Sequence, residues 1–333
     1  MADKEHTNSK SIHEATPGTP RFYYGGQAVI EGVMIRGKRF MSVAARRPNG
    51  QLVSMVSPLS TLYTGILRRL PMIRGVIVLI ETLMLGMKAL MYSANVSIEE
   101  EEQELGRWSM ALMLAVSLGF GVTVFFLLPL LVVQVFDRSV LSTPGLLSDI
   151  LSNLAEGIIR LAFFLVYIWG IGLMPDVRRV FAYHGAEHMT VKAYEANEIL
   201  DISHIRRFST AHPRCGTAFL LVVMVVAIIV FVFLGRPPML WRILSRIVLI
   251  PIIAGLAYEI IRFSAGHQNS WLVRIITAPS LLLQVLTTRQ PADEQIEVAI
   301  HAMNTAIAAD EGHQLPVDSK YASTENGPPS GAS

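Results

Sequence analysis

At 333 residues the chain is 52% hydrophobic and only 16% charged, with a mean hydropathy of +0.45, too apolar and too charge-poor for an ordinary soluble domain. A formal net charge of +2 leaves no electrostatic footprint for nucleic acid, and a single cysteine excludes an intrachain disulfide framework. The expected fold class is mainly α: a polytopic helical membrane protein with a small N-terminal β-hairpin unit and the lipid bilayer as its partner.

Residues 1–20 are polar and contain Thr16-Pro-Gly-Thr-Pro20, the composition of a disordered tail. They hold no early apolar stretch, so no cleaved signal peptide is expected. Residues 21–60 read as a small cytoplasmic β unit. Gly25 to Gly37 forms a glycine-bounded strand. Residues 43–47 and 52–56 then flank Pro48-Asn49-Gly50, the signature of a hairpin. The glycines do not follow the order of a phosphate-binding loop. Glu31 and Arg36 interrupt the apolar run, either as an ion pair on the open sheet face or as groups directed at a metal centre that support its ligands.

Residues 61–290 read as a helical membrane domain. The stretches 108–136 and 217–234 are uncharged and of spanning length. Residues 157–174 and 247–261 form two further expected spans. The second contains Glu259, which is costly in lipid and should face protein, water or a partner, or else pair with Arg262 at the interface. Residues 72–91 carry Arg74, Glu81 and Lys88 at heptad spacing, as in a helix lying in the interface. Residues 270–286 have the character of a re-entrant or interfacial segment. Basic residues concentrate before the first firm span, so the N-terminus is expected in the cytoplasm of an inner membrane. Four spans return residues 175–216 to that side, although Arg236, Arg242 and Arg246 in the opposite loop argue against this. Residues 291–309 should form a C-terminal helix and 310–333 a disordered tail.

The segment 175–216 carries the chemistry. His184-Gly-Ala-Glu187-His188 reads as H-x-x-E-H, which on a helix places two imidazoles and a carboxylate on one face. Downstream, His212-Pro-Arg-Cys215-Gly216 adds an imidazole and the only thiol. Imidazole nitrogen and thiolate are ligands for a divalent metal such as zinc. His184, His188 and either His212 or Cys215 leave one position for water, with Glu187 placed to take its proton. All four together form a closed structural or transported-metal site instead. Without metal, the histidines are interfacial amphipaths and Cys215 a packed thiol. Glu195, seven residues after His188 and on the same helical face, is a candidate fourth ligand or an acceptor for an imidazole N–H.

Gly25-Gly-Gln-Ala-Val-Ile-Glu-Gly-Val-Met-Ile-Arg36-Gly, Lys88-Ala-Leu-Met-Tyr-Ser-Ala-Asn95, Tyr183-His-Gly-Ala-Glu-His188, His212-Pro-Arg-Cys-Gly-Thr217, Tyr258-Glu-Ile-Ile-Arg262 and Leu286-Thr-Thr-Arg-Gln-Pro291 together resemble the bacterial YqhQ-like family. The resemblance covers about residues 25–303. It implies a metal-dependent membrane enzyme; the arrangement of metal ligands and Glu187 adds the expectation of metal-assisted hydrolysis of a peptide or lipid-derived substrate at the cytoplasmic membrane face. The competing expectation is a non-enzymatic membrane protein. No particular substrate or oligomeric state is specified.

Overall fold

The computed structural model describes residues 22–60, 70–98, 107–140, 145–267 and 270–313. The tails expected at 1–20 and 310–333 lie outside these residues, apart from 310–313. Four strands, β1 (Gly25–Val29), β2 (Gly32–Arg36), β3 (Phe40–Arg46) and β4 (Leu52–Pro58), form an antiparallel meander in the order β1-β2-β3-β4. The expected hairpin is present, with Arg46 opposite Leu52 and Val43 opposite Met55. The single strand read over Gly25 to Gly37 is instead two. Val29 pairs with Gly32 across a two-residue turn, and Glu31 takes φ 49°, a left-handed conformation uncommon for glutamate.

The sheet is covered on both faces. Val33, Ile35 and Ala44 pack on α5 (Pro175–Glu195) and α11 (Asp293–Glu311), through residues such as Ala186, Met189, Ala302 and Met303. Met34, Val43 and Ala45 point the other way, onto Leu85, Ala89 and Tyr92 of α1 (Ile73–Val96). Alternation along each strand produces this division, and each buried aliphatic side chain contributes about 1.5–3 kcal/mol. The C-terminal helix thus shares one core with the sheet. Asp310 at its end accepts hydrogen bonds from the backbone N–H groups of Lys38 and Arg39 and from the Tyr24 hydroxyl.

Among the described residues, three helices are long and apolar enough to cross a membrane: Ile73–Val96, Ala111–Asp137 and Leu146–Ile171. The second joins α2 (Arg107–Val122) to α3 (Leu128–Val140) through a π-helical turn, Thr123–Leu127, and the third is α4 (Leu146–Ile171). A fourth candidate is the pair α8 (Met239–Val248) and α9 (Ile250–Gly266), bent by 45° between them. The segments 217–234 and 270–286 appear as the shorter apolar helices α7 (Gly216–Val232) and α10 (Trp271–Thr287). A one-turn helix, α6 (Ile202–Ile205), precedes them.

Residues 72–91, expected as an interfacial helix, belong to a helix of spanning length whose three charged side chains each have a protein partner. Arg74 pairs with Glu259, Glu81 with Arg36 at 2.9 Å, and Lys88 donates to Ser57 Oγ at 2.7 Å. Helix α8 is inverted relative to a soluble helix. Leu240, Trp241, Ile247 and Val248 are exposed, whereas Arg242 and Arg246 are buried. The arginines surround Glu156, at 2.9 Å each, with Arg160 at 2.7 Å. The three basic residues that argued against the expected orientation include two that are enclosed in this ion-pair network.

Candidate metal centre

Helix α5 begins at Pro175, with Asp176 in its first turn and Lys192 in its last, an arrangement suited to both termini. Its small residues let other chain segments approach closely. A Cβ on Gly185 would clash with the Arg289 carbonyl oxygen, and the Arg289 N–H donates to the Phe181 carbonyl at 2.9 Å. The chain after α10 can therefore lie directly on the helix. Gly26 of β1 makes a similar approach, since a Cβ there would sit 2.5 Å from Glu187 Cγ.

These approaches fix the two imidazoles. His184 Nδ1 donates to the Thr287 carbonyl at 2.8 Å, and His188 Nδ1 donates to the Thr210 carbonyl at 2.6 Å. A carbonyl only accepts, so both rings carry their proton on Nδ1 and turn the Nε2 lone pair inward. His184 Nε2 lies 3.2 Å from Cys215 Sγ. Ligand atoms of His184, His188 and Cys215 all lie within 4.8 Å of one another, a grouping that would have to draw inward to the roughly 3.5 Å between ligands of one tetrahedral ion. Cys215 is held as the residue capping α7, with Thr217 N–H donating to its sulfur at 3.4 Å.

Glu187 is 4% exposed, and its Oε2 lies 3.5 Å from His188 Nε2. Burial pushes its carboxyl above the usual range, against the opposing pull of His184, His212 and the Gly26 N–H. His212, an alternative ligand in the sequence, takes another role. Its Nδ1 accepts the Arg214 N–H at 3.2 Å, so its protonated Nε2 points toward Glu195 Oε2, 3.5 Å away. Its ring centroid is 5.5 Å from that of His188, and it stands outside the three-residue group. Glu195 also pairs with Arg214. Burial acts to raise the Glu195 carboxyl, but His212 and Arg214 hold it below the usual range.

The remaining predicted supports have partners elsewhere. Glu31 binds Arg179 and accepts from the Tyr183 hydroxyl at 3.2 Å. Arg36 binds Glu81, and Glu259 faces protein, one of its two expected alternatives, by binding Arg74 and the Met72 N–H. Sequence reasoning missed Thr210, Thr287 and Gln284. The first two act through backbone carbonyls, which leave no residue-type signal. Gln284 is fully buried; it accepts from the His212 N–H at 2.7 Å and donates to the His212 carbonyl at 2.9 Å. A buried glutamine in an apolar helix is the one signal that was available.

The profile of a family described as "Protein of unknown function (DUF1385)" matches residues 70–309. Uncharacterized protein YqhQ of Bacillus subtilis (strain 168) is 32% identical over 323 residues, covering 92% of this chain and 98% of that protein. No solved structure matches the chain. With a profile match across the helical domain and a relative similar over nearly its full length, the chain belongs to the DUF1385 family.

Proposed function

We propose that this is a polytopic inner-membrane protein that binds one zinc-like divalent metal through His184, His188 and Cys215, and that it is a metal-dependent hydrolase acting at the cytoplasmic membrane face on a peptide or lipid-derived substrate. The observation that carries the reading is the convergence of two Nε2 lone pairs and one sulfur, each anchored from behind by backbone. Such anchoring is characteristic of metal-binding histidines. Metal binding replaces the thiol proton of Cys215. A bound divalent ion supplies Lewis acidity and an acidified water. Glu187 lies beside the His pair as the proton acceptor, and the Gly26 N–H holds its carboxylate in place. His212, held by Gln284 and Glu195, positions the turn that presents Cys215. The membrane location is supported by the spanning-length helices and by the inverted helix α8.

A second reading, a structural or transported metal, is favoured by the burial of Glu187, His188 and Cys215 alike. Glu187→Gln separates the two. It keeps the three ligands, so the hydrolase reading predicts a variant that retains metal and fails to restore the phenotype of a deletion strain. Full restoration by Glu187→Gln, with failure of His188→Ala, would establish the non-enzymatic reading.

A further inference from the structure

Helix α5 lies against an open sheet edge. β1 is an outermost strand of the meander, and among the described residues no strand pairs with its other side. The phase of its ladder follows from the turn at Ile30-Glu31. Val29 and Gly32 close that turn as a hydrogen-bonded pair, so bonded pairs recur at Gln27 with Met34 and at Gly25 with Arg36. Gly26 and Ala28 therefore direct their N–H and carbonyl groups away from β2. The Gly26 N–H agrees with this phase, because it reaches the Glu187 carboxyl instead of a β2 carbonyl.

The surroundings of this edge are bare. Gly25 and Gly26 are exposed, and a Cβ on Gly25 would meet nothing within 4 Å. Ala28 is half-buried, and among the described residues no side chain or loop is hydrogen-bonded to its main chain. Gly26 and Ala28 stand two residues apart, about 7 Å along the strand. The edge thus offers an N–H and a carbonyl at Ala28 and, one repeat further on, the Gly26 carbonyl beside Glu187.

We infer that the substrate is an extended peptide segment that adds to the open edge of β1 as a fifth strand. Its main chain pairs with Ala28, and one repeat further on the peptide bond to be cleaved lies against Glu187. Hydrolysis there adds one water across that bond, leaving a carboxylate and an amine. A peptide carries N–H and carbonyl groups at the same two-residue repeat that Gly26 and Ala28 present. A lipid acyl chain has neither. The bare glycines leave room beside the edge for substrate side chains. A second copy of the chain is a poorer occupant, because a five-residue strand with two outward residues supplies few of the contacts that a stable dimer needs. This inference rests on the hydrolase part of the proposed function and selects the peptide over the lipid-derived substrate.

The test uses the full chain, purified in detergent and loaded with zinc, with a fluorescence-quenched library of random octapeptides and a fluorescent phospholipid as separate probes. The parent should cleave peptides. Ala28→Pro removes only an outward N–H that the ladder to β2 does not use, and an edge strand tolerates such a proline. The variant should keep the parental metal content and thermal midpoint, while kcat/KM for the peptide falls at least roughly tenfold through the lost hydrogen bond and the bulk of the ring. A peptide that the parent cleaves is also resynthesised with single N-methyl groups, a measurement that needs no variant to fold. Methylation should slow cleavage at alternate positions only, the repeat of a paired strand. Equal cleavage by the parent and Ala28→Pro, or methylation effects without that alternation, overturns the inference. Cleavage of the phospholipid but not the peptides overturns it while the hydrolase reading stands. Turnover of neither probe by the zinc-loaded parent overturns the hydrolase reading itself. Conversion of a parental dimer to a monomer by Ala28→Pro assigns the edge to a second copy and likewise overturns the inference.

Discussion

Two buried polar centres lie near opposite ends of α7, and they are satisfied in opposite ways. At Glu156, side chains satisfy side chains: one carboxylate is surrounded by Arg160, Arg242 and Arg246. At His184 and His188, backbone carbonyls satisfy only the outward side of each ring, and the inward lone pairs converge on a thiol. Both centres are similarly buried, so burial alone does not mark chemistry. A saturated network holds helices together, whereas two inward-facing imidazole nitrogens beside a thiol form the donor set that the proposed metal would use, in exchange for the thiol proton.

The largest effect that can break this contrast is at the saturated centre. Glu156→Ala leaves three guanidiniums buried without their shared partner and should destabilise the protein by about 3–5 kcal/mol. Thermal unfolding in detergent should show it as a large drop in midpoint or a loss of folded yield. Metal content of the protein that does fold should stay at the parental level, because the centres are structurally separate.

At the unsaturated centre, Gly185→Ala drives a Cβ into the Arg289 carbonyl and displaces the chain that carries the Thr287 carbonyl. Metal affinity, measured by chelator competition, should fall about 10–100-fold. Unchanged affinity would show that the Thr287 anchor contributes nothing. Gln284→Leu is a milder disturbance that strands the His212 N–H and carbonyl, at about 1–3 kcal/mol. Gln284→Glu, which can still accept from the N–H, should recover part of that loss in a denaturation experiment.

The smallest effect concerns pH. Glu195 has a lowered carboxyl pKa in the folded chain, so its contribution is present above the ordinary glutamate pKa of about 4.3 and disappears as pH falls through the lower folded value. Glu195→Gln should therefore be less stable than the parent near neutrality, and the difference should shrink in acid. A constant difference across that range would mean that charge is not what Glu195 supplies.

How much of this was legible in the sequence follows from which interactions leave a residue-type signal. Asn49-Gly50 marked its hairpin because the turn needs one left-handed residue, supplied by Gly50 at φ 87°. The turn at Ile30-Glu31 went unread because glutamate is an unusual choice for such a conformation. The heptad charges of α1 were visible, but their partners, Arg36, Ser57 and Glu259, come from distant segments that only the tertiary fold brings close. The same limit explains Arg242 and Arg246, which a charge count treats as loop residues and the fold buries against Glu156. For the candidate metal centre, H-x-x-E-H marked the helix that carries His184 and His188, while His212 and Cys215 remained equivalent until the turn between them was seen. The Arg214 N–H bonded to His212 Nδ1 distinguishes them.

The central claim, a metal held by His184, His188 and Cys215, is tested most directly by elemental analysis of the purified protein. The parent and His212→Ala should each carry about one equivalent of a zinc-like ion, whereas His184→Ala, His188→Ala and Cys215→Ser should carry much less. Absence of metal from the parent, or equal content in all five proteins, would contradict the account.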